Sequence, residues 1–173
     1  MHSAVSLVAE DGLYVVAVVA LVVWLLVPRP AKVEMAVEMV VGLVTVAILV
    51  KVAGAVHTDP RPFVANPAIH PWFSHAPDNG FPSDHTAVAA MTSFVVLLQR
   101  RTVGCLLLVL SALIAAARVT AHVHHVQDVV AGGVIGLVAA LVGVLVWRGV
   151  DGTPAARRAA GRSLQARPTS GVS

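Results

Sequence analysis

The sequence carries little charge. Asp, Glu, Lys and Arg together make up 12% of the 173 residues, whereas an ordinary soluble domain carries about 25%. Hydrophobic residues make up 57%, so the chain lacks the polar surface that keeps a globular domain in water. These proportions predict a protein that crosses the bilayer several times. The net charge of +3 comes mostly from the C-terminal segment and indicates no nucleic-acid partner.

Cysteine is almost absent as well. The single Cys105 excludes an intramolecular disulfide, and its place in an apolar run predicts a small buried side chain. The opening stretch MHSAVSLVAEDG lacks the basic residues of a cleavable signal peptide. We find no internal repeat, which argues against a transporter built from duplicated halves.

Long hydrophobic runs, in contrast, are plentiful. We expect five membrane helices, at residues 13–27, 33–56, 83–99, 103–121 and 128–147. The predicted fold class is therefore all-α, a polytopic helical bundle. Residues 1–148 would form one membrane-embedded domain, and the Arg-rich segment 149–173 is predicted to be a disordered basic tail. The oligomeric state is left open.

The basic residues predict the orientation in the membrane. Lys and Arg concentrate in the links 28–32 and 99–102 and in the tail, three segments that five spans place on one side. Cytoplasmic loops carry such an excess of positive charge. We therefore expect a multi-pass cell-membrane protein with its N-terminus outside and its C-terminus in the cytoplasm.

Ionisable side chains at the ends of the spans are the candidate functional residues, since charge next to lipid is costly. In the five-span arrangement they gather at the outward face: Lys51, Arg61, Asp84, His85, Arg118, His124 and Asp128. Glu34 and Glu38 lie at the opposite face, where we expect them to be solvated or to favour a helix N-terminus.

The spacing of the ionisable residues between Arg118 and Asp128 indicates a nucleophilic histidine. His124 and Asp128 are four residues apart, so on a helix they share a face. A carboxylate there holds one imidazole nitrogen as a donor and leaves the other free to attack. Arg118 adds a planar cation suited to phosphate oxygens. The free N–H groups of a helix starting at Ser83 would attract an anion, and His85 can protonate a departing oxygen. Together these groups predict a site for phosphoryl transfer.

Three motifs resemble those of the type 2 phosphatidic acid phosphatase superfamily, which read Lys-x6-Arg-Pro, Pro-Ser-Gly-His and Ser-Arg-x5-His-x3-Asp. Here they are KVAGAVHTDPRP, PSDH and ARVTAHVHHVQD, within residues 51–128. The stretches DPRPF and DNGFPSDHTA are similar to the bacterial branch that dephosphorylates undecaprenyl diphosphate. The chain departs from the family in a longer gap between Lys51 and Arg61, in Asp84 for glycine and in Ala117 for serine. The family usually has six spans, one more than we count.

The resemblance implies an integral-membrane lipid phosphatase that recycles a lipid carrier for cell-wall synthesis. Carried over to this chain, His124 would become a phosphohistidine, Asp128 would orient it and His85 would be the acid. The phosphate-binding residues would be Lys51, Arg61, Ser83, Asp84 and Arg118, although Asp84 also suits a helix start. The substrate would be a lipid phosphate or diphosphate in the membrane, and we expect no metal and no cofactor.

Other functions stay open at this point. Phosphatidic acid or phosphatidylglycerol phosphate are alternative substrates within the same class. A proton-coupled transporter also uses His, Asp and Arg, but its groups lie near the midplane of the membrane. A non-enzymatic scaffold would not depend on His124. A metal site at His122, His124 and His125 would need further ligands that the local sequence does not supply.

Overall fold

The computed structural model describes residues 4–151 and consists of helices joined by short links and one long loop. Most of the predicted tail lies outside the described residues, but its first residues continue the last helix to Asp151. The helices are α1 (Ala4–Leu26), α2 (Arg29–Val56), α3 (Pro62–Ala65), α4 (Asp84–Gln99), α5 (Arg101–Thr120) and α6 (Val126–Asp151). The predicted all-α fold class is confirmed.

Four helices, α1, α2, α5 and α6, are long and apolar enough to cross a membrane. The remaining predicted span, 83–99, corresponds to α4, which has 16 residues and is therefore about 24 Å long. This helix packs against α1, α2, α5 and α6. Since other helices surround it, α4 does not need the length that a lipid-facing span requires.

Three expectations from the sequence were wrong in detail. The first helix begins at Ala4 rather than at residue 13, because Glu10 and Asp11 lie inside the helix and do not precede it. Cys105 lies on the exposed side of α5 rather than in the core. Glu38, expected to be solvated, is 1% exposed, because the backbone of α6 at Gly143 packs directly against it.

Glycines on one face of α6 bring this helix into backbone contact with α4. A Cβ atom on Gly132 would lie 2.4 Å from the Ser83 carbonyl oxygen, and one on Gly136 would lie 2.5 Å from that of Ala87. Small residues spaced by four permit such close approach of membrane helices. Asp128 precedes Gly132 by one turn, so the same face brings Asp128 to the start of α4, where its carbonyl accepts the Ser83 N–H at 3.0 Å.

A polar contact joins α4 to α5 within the apolar interior. The hydroxyls of Ser93 and Ser111 lie 2.9 Å apart, and each also lies within hydrogen-bonding distance of a carbonyl in its own helix, that of Ala89 or Leu107. Since each hydroxyl has one proton, one donates to the other hydroxyl and the second donates to its own carbonyl. Both side chains are buried. The bond satisfies groups that would otherwise be unpaired in a medium without water, and it helps to fix α4 as the central helix.

The chain path brings five helix ends to one end of the bundle. These are the starts of α1, α4 and α6 and the ends of α2 and α5, together with the loop 57–83. The carbonyl of Ala9 near the start of α1 accepts a bond from Arg118 near the end of α5, at 3.0 Å. The predicted site residues therefore share one end of the bundle.

Candidate active site

The turn after α5 is closed by a Schellman motif that uses a histidine in the left-handed position. His122 has φ 61°, its N–H donates to the Val119 carbonyl at 3.0 Å, and the N–H of Val123 donates to Arg118 at 3.2 Å. Glycine is the usual residue at this position. The turn reverses the chain and buries Val123 against α1, which directs the next residue, His124, into the interior.

His124 and Asp128 form a buried pair. The Nδ1 atom of His124 lies 3.2 Å from Oδ2 of Asp128, and the two side chains are 1% and 0% exposed. Asp128 lies in the first turn of α6, where Oδ2 also accepts the His125 backbone N–H at 2.8 Å. This second bond resembles half of a capping box. The predicted pairing therefore arises at a helix start, since His124 itself precedes α6.

Two arginines approach the other nitrogen of the His124 ring. Arg61 Nη1 and Arg118 Nη2 each lie 3.3 Å from His124 Nε2. When Nδ1 carries the proton and donates it in a hydrogen bond to Asp128, Nε2 is an acceptor whose lone pair faces both guanidinium groups. An anion between these three groups would meet two planar, multiply donating cations.

Each arginine is fixed by backbone or acidic partners. Arg61 is 5% exposed and Arg118 is 2% exposed. Arg61 donates to the Val123 carbonyl at 2.7 Å and to Oδ1 of Asp78 at 2.8 Å, while Arg118 is anchored on α1 through Ala9. Because these bonds hold the guanidinium groups in place, little side-chain entropy remains to be lost when an anion binds.

The environment of His124 favours the neutral imidazole. Burial lowers the pKa of His124 below its ordinary value, and the charges of Arg118 and Arg61 lower it further, against the opposing effect of Asp128. A neutral ring keeps its lone pair, which a nucleophile requires. The site thus combines an available nucleophile with two cations that would stabilise negative charge next to it.

The second predicted histidine has its own acid. His85 Nδ1 lies 3.0 Å from Oδ1 of Asp84, which also accepts the His85 backbone N–H at 2.7 Å. His85 is partly exposed at the start of α4. Asp84 is therefore the partner of His85 in the structure. Ser83 is fully buried, and its hydroxyl accepts the Thr86 hydroxyl at 3.1 Å.

Lys51 is not brought into this group. It is exposed on α2, and its side chain makes no hydrogen bond or ion pair with residues 4–151. The loop 57–83 supplies two contacts that sequence reasoning missed, from His75 and Asp78. His75 Nε2 lies 3.1 Å from Arg118 Nη2, and burial, with the charge of Arg61, lowers the pKa of His75. No periodicity marks these residues, since they belong to an irregular loop.

One group of side chains has the donors of a metal site. Asp59, His125 and Asp128 each place one ligand atom within 4.8 Å of the other two. The three histidines considered from the sequence are separated instead. His122 lies against Trp72 and His125 against Asp59, while His124 faces the arginines.

A buried His–Asp pair, two fixed arginines and a second His–Asp pair at one end of a membrane bundle define a protein equipped to act on a phosphate group. Residues 35–150 match the PAP2 superfamily, and the chain belongs to that family. The resemblance inferred from the three motifs is confirmed. With it, the predicted class of enzyme, an integral-membrane phosphatase, is confirmed.

Curated relatives and one solved structure agree with this assignment. The chain is 33% identical over 142 residues to the bacitracin transport permease protein BcrC of Bacillus licheniformis, covering 82% of this chain and 69% of that protein. It is 30% identical to the putative undecaprenyl-diphosphatase YbjG of Escherichia coli, covering 86% and 74%. It is 28% identical to the undecaprenyl-diphosphatase BcrC of Bacillus subtilis, covering 87% and 76%. The crystal structure of Aquifex aeolicus LpxE shares the fold, with a TM-score of 0.67 at 22% identity over 81% of this chain and 82% of that one.

Proposed function

We propose that this protein hydrolyses a polyprenyl diphosphate of the undecaprenyl type to the monophosphate, through a phosphohistidine on His124. The observation that carries the proposal is the position of His124 Nε2, which faces Arg61 and Arg118 while Nδ1 is held by Asp128. Two of the relatives are named as undecaprenyl-diphosphatases, which supports a lipid diphosphate as the substrate. Release of the monophosphate would return a lipid carrier to cell-wall synthesis.

In the first step, Nε2 of His124 attacks the terminal phosphorus and the bond from phosphorus to the bridging oxygen breaks. His85 gives a proton to that oxygen, so the lipid monophosphate leaves. Arg61 and Arg118 bind the non-bridging oxygens, whose charge they stabilise as the transition state forms. The start of α4 adds the positive end of its helix dipole, which favours an anion.

In the second step, water attacks the phosphorus of the phosphohistidine. Neutral His85 accepts a proton from the water, the bond between phosphorus and nitrogen breaks, and inorganic phosphate leaves with His124 restored. Asp128 stabilises the charge on the His124 ring and keeps its orientation. Asp84 stabilises the charge on the His85 ring and keeps its orientation in the same way. The arginines supply the positive charge, so we propose that the cycle needs neither metal nor cofactor.

A groove on the flank of the bundle supports the proposal that the substrate has a long apolar tail. A cavity of about 370 Å³ lies between α1 and α2 and is lined almost entirely by apolar side chains. Val88 and Thr92 of α4 form part of its wall, and they follow His85 by one and two helical turns on the same face. A lipid whose phosphates bind near His85 would thus find a channel for its first isoprene units.

We further propose that the site faces the outside of the cell, since the links with excess Lys and Arg belong to the opposite end of the bundle. Impermeant thiol reagents test this in a Cys105→Ser background. A cysteine at Ser74 should react in intact cells and one at Thr102 should not. The reverse pattern would invert the topology.

The function is tested by phosphate release from purified lipid phosphates in detergent with a chelator present. We expect the isoprenoid diphosphate to react fastest and phosphatidic acid slowly. Faster turnover of phosphatidic acid or phosphatidylglycerol phosphate would overturn the substrate assignment. No release from any of them would favour transport, the activity in the name of the Bacillus licheniformis relative.

The groove is tested by filling it. Ala17 lines it, whereas the neighbouring Val18 does not and is exposed. Ala17→Trp should raise KM for a long-chain isoprenoid diphosphate and leave a short-chain analogue unaffected, while Val18→Trp should change neither. Equal effects on both chain lengths would exclude the groove as the tail site.

A further inference from the structure

Asp128 belongs to a second group of side chains besides the His124 pair. Oδ2 of Asp59 lies 2.8 Å from His125 Nδ1 and also accepts a bond from the Gln127 amide. The group formed by Asp59, His125 and Asp128 thus has two acids and an imidazole, with one ligand atom from each within 4.8 Å of the others.

One oxygen in this group has no partner. Asp128 is 0% exposed, and its Oδ1 is buried without a hydrogen bond. An unpaired buried carboxylate oxygen costs free energy, and the neighbouring Asp59 carboxylate adds repulsion. A cation between the two acids would relieve both penalties.

The ligands are also held in place before any ion binds. The Asp59 N–H donates to Asn79 Oδ1 at 2.9 Å, and the Asp59 carbonyl accepts the Gly80 N–H at 2.9 Å. A Cβ atom on Gly80 would lie 3.2 Å from Oδ2 of Asp128, so glycine permits this loop to pack directly on the acid. The loop and the turn before α6 are therefore fixed against each other.

We propose that Asp59, His125 and Asp128 bind a divalent transition-metal ion of the Zn²⁺ type, and that the bound ion inhibits the enzyme. Two carboxylates and one imidazole suit Zn²⁺, with a remaining position for water. An open cavity of about 620 Å³ lined by Asp59, His125, Val126, Gln127 and Val130 gives the ion a path from solvent.

Inhibition follows from the charge of the ion. Asp128 stabilises positive charge on His124 during phosphoryl transfer, and a divalent cation on the same carboxylate withdraws that negative charge. It also competes for the orientation of Asp128. This regulatory half rests on the proposed function, whereas the binding half does not.

Binding is measured without turnover, on the purified full chain in detergent. Zn²⁺ is titrated by calorimetry, and Co²⁺ serves as a probe whose visible absorption reports coordination by protein ligands. We expect wild type to bind one ion, and Asp59→Asn and His125→Gln each to weaken binding by at least about tenfold. Asp11→Asn and His70→Gln, which change exposed residues of the same types outside the group, should bind as wild type does.

Absence of a Co²⁺ spectrum in wild type would overturn the site. So would equal affinity in wild type and in both Asp59→Asn and His125→Gln, since two separate ligands would then be dispensable. Monodisperse elution of each variant shows that it is folded.

The inhibitory half is measured as the ratio of phosphate release with and without saturating Zn²⁺. The ratio should fall at least about tenfold below one in wild type, recover with chelator, and stay near one in Asp59→Asn. Binding that depends on Asp59 but leaves the wild-type ratio at one would overturn the inhibition and retain the site.

Discussion

The Nδ1 atom of His124 lies 3.2 Å from Oδ2 of Asp128, with both side chains sealed from solvent. The same oxygen accepts the backbone N–H of His125, so the acid is fixed by the start of α6 as well as by the ring. This arrangement sets the tautomer of His124 and leaves Nε2 to the arginines. Catalytic activity should therefore be sensitive to a conservative substitution of Asp128.

Asp128→Asn should keep the shape of the pair but lose its charge and its control of the tautomer. In a known hydrolase triad the corresponding change lowers kcat about 10⁴-fold, and here we expect a loss of about two orders of magnitude or more. Steady-state phosphate release measures it. An unchanged rate in the folded variant would remove Asp128 from the mechanism.

Gly132→Ala should destabilise the protein and reduce activity. Its Cβ atom would lie 2.4 Å from the Ser83 carbonyl, so α6 must move away from α4 and carry Asp128 with it. Overpacking of this kind costs about 1–3 kcal/mol of the free energy of unfolding. Thermal unfolding in detergent, with activity assays, measures both effects.

Gly133→Ala is the matched control, since nothing lies within 4 Å of a Cβ atom there. It should unfold at or slightly above the wild-type temperature, because alanine favours a helix. Equal destabilisation by both substitutions would show that the close contact between α4 and α6 is not what matters.

Much of the bundle could be predicted from the sequence because hydropathy reports directly on contact with lipid. The end of the bundle that carries the candidate site could be predicted from the same pattern, since charged residues adjoin the spans there. The start of α1 could not be predicted from hydropathy, because the charged residues Glu10 and Asp11 lie inside the helix. The burial of Glu38 could not be predicted, because it depends on contact with Gly143, which is more than 100 residues away in the chain.

The candidate site was predictable where spacing or a motif marks its residues, which includes Arg61 in the loop 57–83. It was not predictable where unpatterned parts of that loop provide them. His124 and Asp128 are linked by spacing, and the structure pairs them. Asp59, His75 and Asp78 reach the site through the loop 57–83, whose path follows from contacts such as Asn79 with the end of α2. No local pattern encodes such a path.

The pH dependence of stability should show that His124 is neutral in the folded protein. Burial and the arginines lower the pKa of His124 from its ordinary value of 6.5, so the unfolded chain binds more protons than the folded one just below that value. His75 is shifted in the same direction. The contribution of these two histidines to the free energy of unfolding is then fully present above pH 6.5. It is lost as the pH falls through the lowered pKa values.

Activity should follow the same direction, because a protonated His124 cannot attack. The acidic limb of kcat/KM, which reports the free enzyme, should have its midpoint below pH 6.5. A midpoint above this value, with lower pH stabilising the fold, would mean that His124 is charged in the resting enzyme.

Chelation should leave the activity intact, and orthovanadate should abolish it. Arg61 and Arg118 supply the positive charge that a metal would otherwise provide, and vanadate bound at His124 resembles the transferring phosphoryl group. Transition-state analogues bind far more tightly than substrates. An enzyme that loses activity in chelator and regains it with Mg²⁺ would refute the metal-independent mechanism.

Lys51→Ala in the same assay should cost much less than Arg61→Ala, because Lys51 is exposed and Arg61 is buried beside His124. A loss as large as that of Arg61→Ala would return Lys51 to the phosphate site.

The central claim is that the phosphoryl group is carried by His124. Rapid quenching of the enzyme with a substrate labelled in its terminal phosphate, followed by peptide mapping in base, tests this most directly. We expect a base-stable, acid-labile label on the peptide that contains His124, absent in His124→Gln. The label should persist in His122→Gly, because glycine suits the left-handed turn at that position. A label on another residue, or full turnover by a folded His124→Gln variant, would contradict the account.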